Sequence, residues 1–281
     1  VKEYEKYKNK LDIFHVAFSG GKDSAVLLDL VKKALPRGSF VVIFGDTGME
    51  FPDTYEAVER AKTQCDADGT PFYIARSHLD PHESWKLFGP PSRVLRWCCS
   101  VHKSTPQTLK MREITGKNNY IGMDFVGVRA HESLARSKYE FENFGKKQKG
   151  QYSFNPILEW TSAEIWLYIF INSIFVNAAY KKGNSRAGCL LCPMSGGCSD
   201  FVRRSNYTNS VDSYIDIIRK SNIWESSDSE MTTYLTSGGW INRRSGRGLR
   251  NNQSRYKETA KNKIIKIEIL QPKRYLAEYY I

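Results

Sequence analysis

An α/β fold built on a doubly wound parallel sheet is predicted by three observations. Short β-rich apolar runs alternate with helical patterns, the first run breaks into a small-residue turn, and polar or charged residues gather where later runs end. The runs cover residues 13–19, 40–46 and 72–77, with helical patterns at 25–35 and 54–65 between them. A fourth run, 120–129, ends on Arg129. Thr161-Ser-Ala-Glu164 reads as a capping box, in which two side chains take up the free amides of a starting helix. The apolar segment 165–176 behind it is expected to be a core helix, because it contains Asn172 and Ser173 and a membrane span needs about 20 apolar residues.

Past Phe201 the alternation fades, although Ile264-Ile-Lys-Ile-Glu-Ile269 is read as an added edge strand. Between residues 241 and 274, eleven Lys or Arg stand against Glu258 and Glu268. The chain is therefore divided into a domain over 1–200 and a basic C-terminal region over 201–281. Across the whole chain, 42 basic against 30 acidic residues leave a net charge of +12, which favours polyanionic partners. The charged start, Val1-Lys2-Glu3-Tyr4-Glu5-Lys6, has neither secretory signal nor membrane anchor, so a cytoplasmic location and no membrane partner are expected. Six cysteines in that compartment suggest metal or redox chemistry rather than disulfides.

Ligands of open α/β sheets bind beyond the carboxyl ends of the strands, so the segments after Phe18, Phe44 and Val128 are expected to converge. The first is Ser19-Gly20-Gly21-Lys22-Asp23-Ser24, a turn between a buried strand and an amphipathic helix. Gly20 and Gly21 allow close backbone approach to an anion, which the helix dipole attracts. Lys22 opposes that dipole by roughly 0.3–1 kcal/mol, a placement that a bound anion explains. Val16 and Asp23 stand where a Walker A loop requires Gly and Ser or Thr, which excludes that motif. The turn resembles the PP-loop of the ATP pyrophosphatase superfamily, whose fold is of the adenine nucleotide α-hydrolase type and whose members release pyrophosphate and adenylate a substrate oxygen. The resemblance implies that Ser19, Gly20, Gly21, Lys22, Asp23 and Ser24 hold ATP with Mg²⁺, and that Lys22 and Asp23 act in catalysis.

The second segment contains Asp46-Thr47-Gly48 and Phe51-Pro52-x-Thr54-Tyr55, where Asp46 either ligates magnesium, touches nucleotide, or caps the following turn. With the first loop, it resembles the phosphoadenosine-phosphosulfate reductase family. The likeness extends over about residues 13–195 through Cys98-Cys99-x3-Lys103-x2-Pro106, Gly127-Val-Arg129-x2-Glu132-Ser133-x2-Arg136 and Asn155-Pro-Ile-Leu-Glu-Trp160. Arg129 and Arg136, seven residues apart, are expected on one helix face directed at the crevice, where guanidinium forks suit phosphate or sulfate. Glu132 is expected to hold one of them.

Cys98 and Cys99 are adjacent, and Cys189-Leu-Leu-Cys192 completes a set of four thiols. Adjacent thiolates reach two irons of a cubane more easily than they chelate one zinc, although zinc stays open as an alternative. The pattern is similar to the cluster-bearing branch of the sulfonucleotide reductases. That likeness implies a 4Fe-4S cluster and a catalytic Lys103 between cluster and substrate. Cys198 is either a replacement ligand or a sulfur carrier; Cys65 is expected to pack in a core.

Sulfonucleotide reductases attack sulfate with a cysteine in a Glu-Cys-Gly-Leu-His segment near the C-terminus, whereas no cysteine follows Cys198 here. Instead Arg243, Arg244, Arg247, Arg250 and Arg255 interleave with Trp240, Tyr256 and Tyr275, a composition suited to base stacking and phosphate pairing. The combination is similar to the PP-loop proteins of Dnd- and Ssp-type DNA phosphorothioation systems, which implies sulfur transfer to nucleic acid, DNA before tRNA, with a cysteine desulfurase as donor. Alternatives are a sulfonucleotide reductase, a tRNA thiolation enzyme and a non-catalytic nucleic-acid sensor.

Overall fold

The computed structural model describes residues 1–145, 150–195, 198–221, 227–242, 256–261 and 264–269, with backbone alone for 198–203 and 256–269. The elements in chain order are α1 (Lys2–Tyr7), β1 (Ile13–Phe18), α2 (Lys22–Ala34), β2 (Val41–Asp46), α3 (Pro52–Asp68), β3 (Phe72–Arg76) and α4 (Pro81–Phe88). They continue with α5 (Trp97–Cys99), α6 (Thr105–Thr115), β4 (Gly122–Val126), β5 (Glu142–Phe144), β6 (Tyr152–Phe154) and α7 (Ser162–Ile171). The last are α8 (Cys198–Ser221), α9 (Asp228–Thr236), β7 (Tyr256–Lys261) and β8 (Ile264–Ile269). The chain divides into two compact units, Val1–Pro81 with Trp97–Val211, and His82–Arg96 with Asp212–Ile281. The charge pattern, which places a division at residue 200, carries no sign that 82–96 belongs with the C-terminal unit.

The first unit holds a six-stranded sheet of order β3-β2-β1-β4-β6-β5. All neighbouring strands are parallel except β5, which runs antiparallel to β6, so the expected parallel sheet gains one reversed edge. Alternation along the strands sorts side chains to two faces. Phe14, Val16 and Phe18 of β1 and Val42 and Phe44 of β2 pack with Leu27, Leu28 and Val31 of α2 and Val58, Ala61 and Cys65 of α3. Cys65 is fully enclosed there, as a packing residue. On the other face Ile43 and Ala75 meet Met111 of α6. Helices therefore cover both faces of the sheet. Each fully buried large apolar side chain, such as Leu27 or Met123, contributes roughly 1.5–3 kcal/mol to holding these layers in register.

Several boundaries differ from the sequence pattern for local reasons. Gly21 is extended (φ −90°, ψ 164°) and caps α2, which starts at Lys22 rather than at 25 and so includes Lys22 and Asp23 in its first turn. The capping box at Thr161 forms, with the Glu164 N–H donating to Thr161 Oγ1 at 3.2 Å and the Thr161 N–H donating to Glu164 at 2.7 Å. The apolar segment 165–176 is helical only to Ile171, because Ser173 turns left-handed (φ 50°) and the Ile174 N–H closes on the Ile169 carbonyl at 3.0 Å. Ile165 and Ile169 are buried, whereas Leu167, Phe170 and Ile171 are exposed, so only one side of α7 is core.

β8 is a strand, but it pairs antiparallel with β7 in a separate two-stranded sheet and adds no edge to the main one. In the second unit Trp240 is buried, its ring 6.0 Å from that of Trp85. It is a core aromatic, contrary to the base-stacking role expected of it. Arg243, Arg244, Arg247, Arg250, Arg255 and Tyr275 lie outside the described residues, as does the Tyr256 side chain. Among the described residues, no helix is long and apolar enough to cross a membrane.

Candidate functional site

After β3 the chain returns to the opposite side of β1, so the strand order reverses between β1 and β4, where an open α/β sheet offers a crevice. Both strand ends deliver the residues singled out by sequence. Gly20 takes φ 71°, and a Cβ there would sit 2.7 Å from the Thr54 methyl. A Cβ at Gly127, just past β4, would lie 3.0 Å from the Asp23 carbonyl group, so that strand end closes directly on the loop. Inside the turn the Ser19 N–H and Oγ donate to Ser24 Oγ at 3.2 and 3.1 Å, and Ser24 Oγ donates to the Gly21 carbonyl at 2.9 Å.

Two buried cations meet at the first turn of α2. Lys22 Nζ lies 2.7 Å from one oxygen of Asp23, and Arg129 Nε lies 2.6 Å from the other. Lys22 and Arg129 are 6% and 5% exposed, too little for water to balance their charge. Arg129 also donates from Nη1 to the Trp160 carbonyl at 3.5 Å. One carboxylate therefore serves two cations at the positive end of a helix dipole, and the surplus positive charge makes the place attractive to an anion.

The other predicted residues are arranged differently. No helix follows Arg129: two short 3₁₀ turns, Ala130–Glu132 and Arg136–Lys138, are separated by extended Ser133 (φ −171°, ψ 157°). Arg136 and Arg129 thus share no helix face, which corrects the expectation drawn from their spacing. Glu132 is bonded to the Arg136 guanidinium and accepts the Arg129 N–H at 3.2 Å. Asp46 is buried and caps the next turn, accepting the Gly48 N–H at 2.8 Å and the Tyr55 hydroxyl at 2.9 Å, with Arg76 Nη1 at 3.5 Å.

Sequence reasoning missed two residues that support the loop from the segment after α7. Asn177, buried, donates from Nδ2 to the Gly20 carbonyl and to Thr54 Oγ1, both at 3.0 Å. The Tyr180 hydroxyl accepts the Lys22 N–H at 3.0 Å. Nothing in Asn177-Ala-Ala-Tyr180 announces a contact across more than 150 residues of chain.

Of the four thiols, Cys189 is held at the β2–α3 turn. Leu190 N–H donates to the Met49 carbonyl at 2.7 Å, which sets Cys189 opposite Glu50. Cys189 Sγ donates to Glu50 Oε1 at 3.6 Å and lies 3.5 Å from Thr47 Oγ1. The Cys98 thiol is pushed up by its hydrogen bond to Cys99, by burial, and by the charges that Cys99, Cys189 and Cys192 would carry. Burial, then Glu50, raises Cys189, while the Lys103 cation, close to both Cys189 and Glu50, acts the other way. Thiols that resist ionising beside one another suit a cationic metal group, whose ligands bind as thiolates. The donor set of Cys98, Cys99, Cys189 and Cys192 fits in kind, although among the described residues no three His, Cys, Asp or Glu are placed as a formed metal site. The Cys198 side chain lies outside the described residues.

Lys103 stands on a π-helical turn, Ser100–Ser104, in which His102 is buried. Burial first, and then Arg76 against an opposing Asp80, lowers the His102 pKa to about 4. The unfolded chain takes up this proton near pH 6.5 and the folded chain only near 4, so the neutral imidazole's full contribution holds above about 6.5 and is lost as pH falls towards 4. Urea unfolding at pH 7 and 4.5 is expected to show a loss on the order of 2–3 kcal/mol from this group. In His102→Gln the loss should shrink by that amount; an unchanged pH dependence would remove the assignment.

Residues 13–195 match the family model described as the phosphoadenosine phosphosulfate reductase domain. An uncharacterized protein of Methanocaldococcus jannaschii is 31% identical over 78% of this chain, and the chain spans about half (51%) of its length. An adenosine 5'-phosphosulfate reductase of Halalkalibacterium halodurans is 28% identical over 73% of the chain and 86% of that protein. The crystal structure of phosphoadenylyl-sulfate (PAPS) reductase from Candida auris, in a phosphate complex, aligns with TM-score 0.49 and 20% identity over 67% of this chain and 86% of that one.

Proposed function

This chain belongs to the phosphoadenosine phosphosulfate reductase domain family, and from that premise we propose that it releases pyrophosphate from ATP at residues 19–24 and adenylates a substrate oxygen for sulfur transfer. The observation that carries this is the shared carboxylate: Lys22 and Arg129 converge on Asp23 at the amino end of α2. In that arrangement the loop amides and the two cations stabilise the charge that grows on the departing pyrophosphate. The bond between the α-phosphorus and its bridging oxygen breaks as the substrate oxygen attacks, with Mg²⁺ as counter-ion of the triphosphate. A persulfide from the sulfur donor then forms the phosphorus–sulfur bond as AMP leaves, and a thiol such as the cysteine supplied reduces the remaining S–S bond to leave the phosphorothioate.

The substrate we infer is the DNA backbone, with a cysteine desulfurase as sulfur source, in cytoplasm. The net charge of +12 and the basic stretch from 241 to 274 favour a polyanion. Cys98, Cys99, Cys189 and Cys192 would hold a 4Fe-4S cluster, which when bound supplies iron with affinity for sulfur. Lys103, near Cys189 and Glu50, would orient an anionic group beside it. Anaerobically purified protein is expected to be brown, and Cys99→Ser to bleach it; an unchanged spectrum would exclude this ligand set.

A second reading, reduction of a sulfonucleotide, is favoured by the coverage of 86% of the Halalkalibacterium reductase. The two separate in one experiment. The chain is incubated with ATP, DNA or tRNA, cysteine and a desulfurase, and digested nucleic acid is analysed for sulfur by mass spectrometry; adenylyl sulfate with thiol is supplied in parallel. Backbone phosphorothioate supports the proposal, thionucleosides move the substrate to tRNA, and steady sulfite release supports the reductase. Nucleic-acid binding with none of these products indicates a sensor.

A further inference from the structure

The segment after α7 touches both halves of the site. Its Tyr180 hydroxyl accepts the main-chain N–H of Lys22 at 3.0 Å. A Cβ on Gly21 would lie 3.2 Å from this hydroxyl and 3.7 Å from the Ala187 methyl, so the segment sits directly on the loop. Two residues past Ala187 the same segment is tied to the β2–α3 turn through Cys189 and Leu190. Trp166 meets the Tyr180 ring edge-on with centroids 5.6 Å apart, and Lys22 Nζ lies 5.7 Å from the ring centre.

The Lys22 N–H opens α2, and it is one of the donors that an anion at a helix amino end recruits. A phenolic oxygen already held by that N–H stands where an anionic oxygen would be received. Resting on the cradle assigned to residues 19–24, we propose that Tyr180 is an internal competitor for the phosphate seat. Filling the loop displaces its hydroxyl, breaks this tie between the loop and the segment resting on Gly21, and loosens the chain that leads to Cys189 and Cys192. Occupancy of the loop is thereby communicated to the cysteine cluster. Linkage makes the effect reciprocal, so the hydroxyl weakens anion binding by as much as the anion weakens the clasp.

The test uses the full chain, inorganic pyrophosphate and Tyr180→Phe, which removes the hydroxyl and keeps the ring. Isothermal titration is expected to show the variant binding pyrophosphate more tightly by about three- to tenfold, the worth of one net hydrogen bond. A merely structural tyrosine predicts weaker binding when altered. In wild-type protein, hydrogen exchange in the peptide spanning 186–192 is expected to accelerate when pyrophosphate is bound. Equal or weaker binding by Tyr180→Phe overturns the inference and leaves the cradle standing. So does unchanged exchange in wild type with the loop filled, a result that decides the matter even if the variant fails to fold. Absence of pyrophosphate binding to wild type removes the cradle and this inference together.

Discussion

Lys22→Ala is expected to slow pyrophosphate release by about 10²–10³-fold, the usual effect of deleting one preorganised donor from a site of growing negative charge. The fold should survive, because Asp23 keeps Arg129 Nε at 2.6 Å when the lysine is gone. Cys189 is held by Glu50 and Thr47 of the β2–α3 turn, and Lys22 by Asp23, so a brown chromophore in the parent should persist in the variant. Steady-state release of pyrophosphate, read beside thermal unfolding and visible absorbance, separates these effects. Loss of all three together would mean that Lys22 holds the structure rather than the triphosphate.

Asp23→Ala should do the reverse, with stability taking the larger loss. Its carboxylate lies between two buried cations, and removing it leaves Lys22 and Arg129 facing each other without water. Breaking a buried pair in this way costs about 3–5 kcal/mol. Urea unfolding should show that deficit. Pyrophosphate, which would supply the missing negative charge, should raise the melting temperature of the variant more than that of the parent. If Asp23→Ala is as stable as wild type, the triad is not the electrostatic centre of the site.

The sequence made the loop legible because its determinants are local. Two glycines, an extended cap and the first turn of an amphipathic helix lie within six residues, and the strand before them alternates in a way only one sheet face satisfies. Arg129 could be placed because it lies three residues past β4, the strand that pairs with β1 where the strand order reverses. Arg136 was misplaced because a seven-residue spacing aligns two side chains only on a continuous helix, and Ser133 is extended. Tyr180 and Asn177 were illegible for another reason. Their partners are Lys22 and Gly20, and neither tyrosine nor asparagine carries a local pattern that specifies so distant a contact. Trp240 shows the limit of composition, since an aromatic among arginines suggests a stacking surface whereas its ring is enclosed beside Trp85.

The cysteines fall between these cases. Adjacency of Cys98 and Cys99 and the spacing of Cys189 and Cys192 marked them as one set. What places Cys189 is its bridge to Glu50, which no spacing rule contains. Glu50 and Thr47, from the turn that Asp46 caps, are the residues that meet Cys189, and they give Asp46 a structural part in positioning it.

Product analysis tests the central claim most directly. Protein incubated with ATP labelled in the α- and γ-phosphates, with DNA and a sulfur donor, should yield AMP and pyrophosphate in equal amounts, with production lost in Lys22→Ala. ADP and inorganic phosphate as the products would show cleavage at the other bridge and would contradict the assignment of residues 19–24.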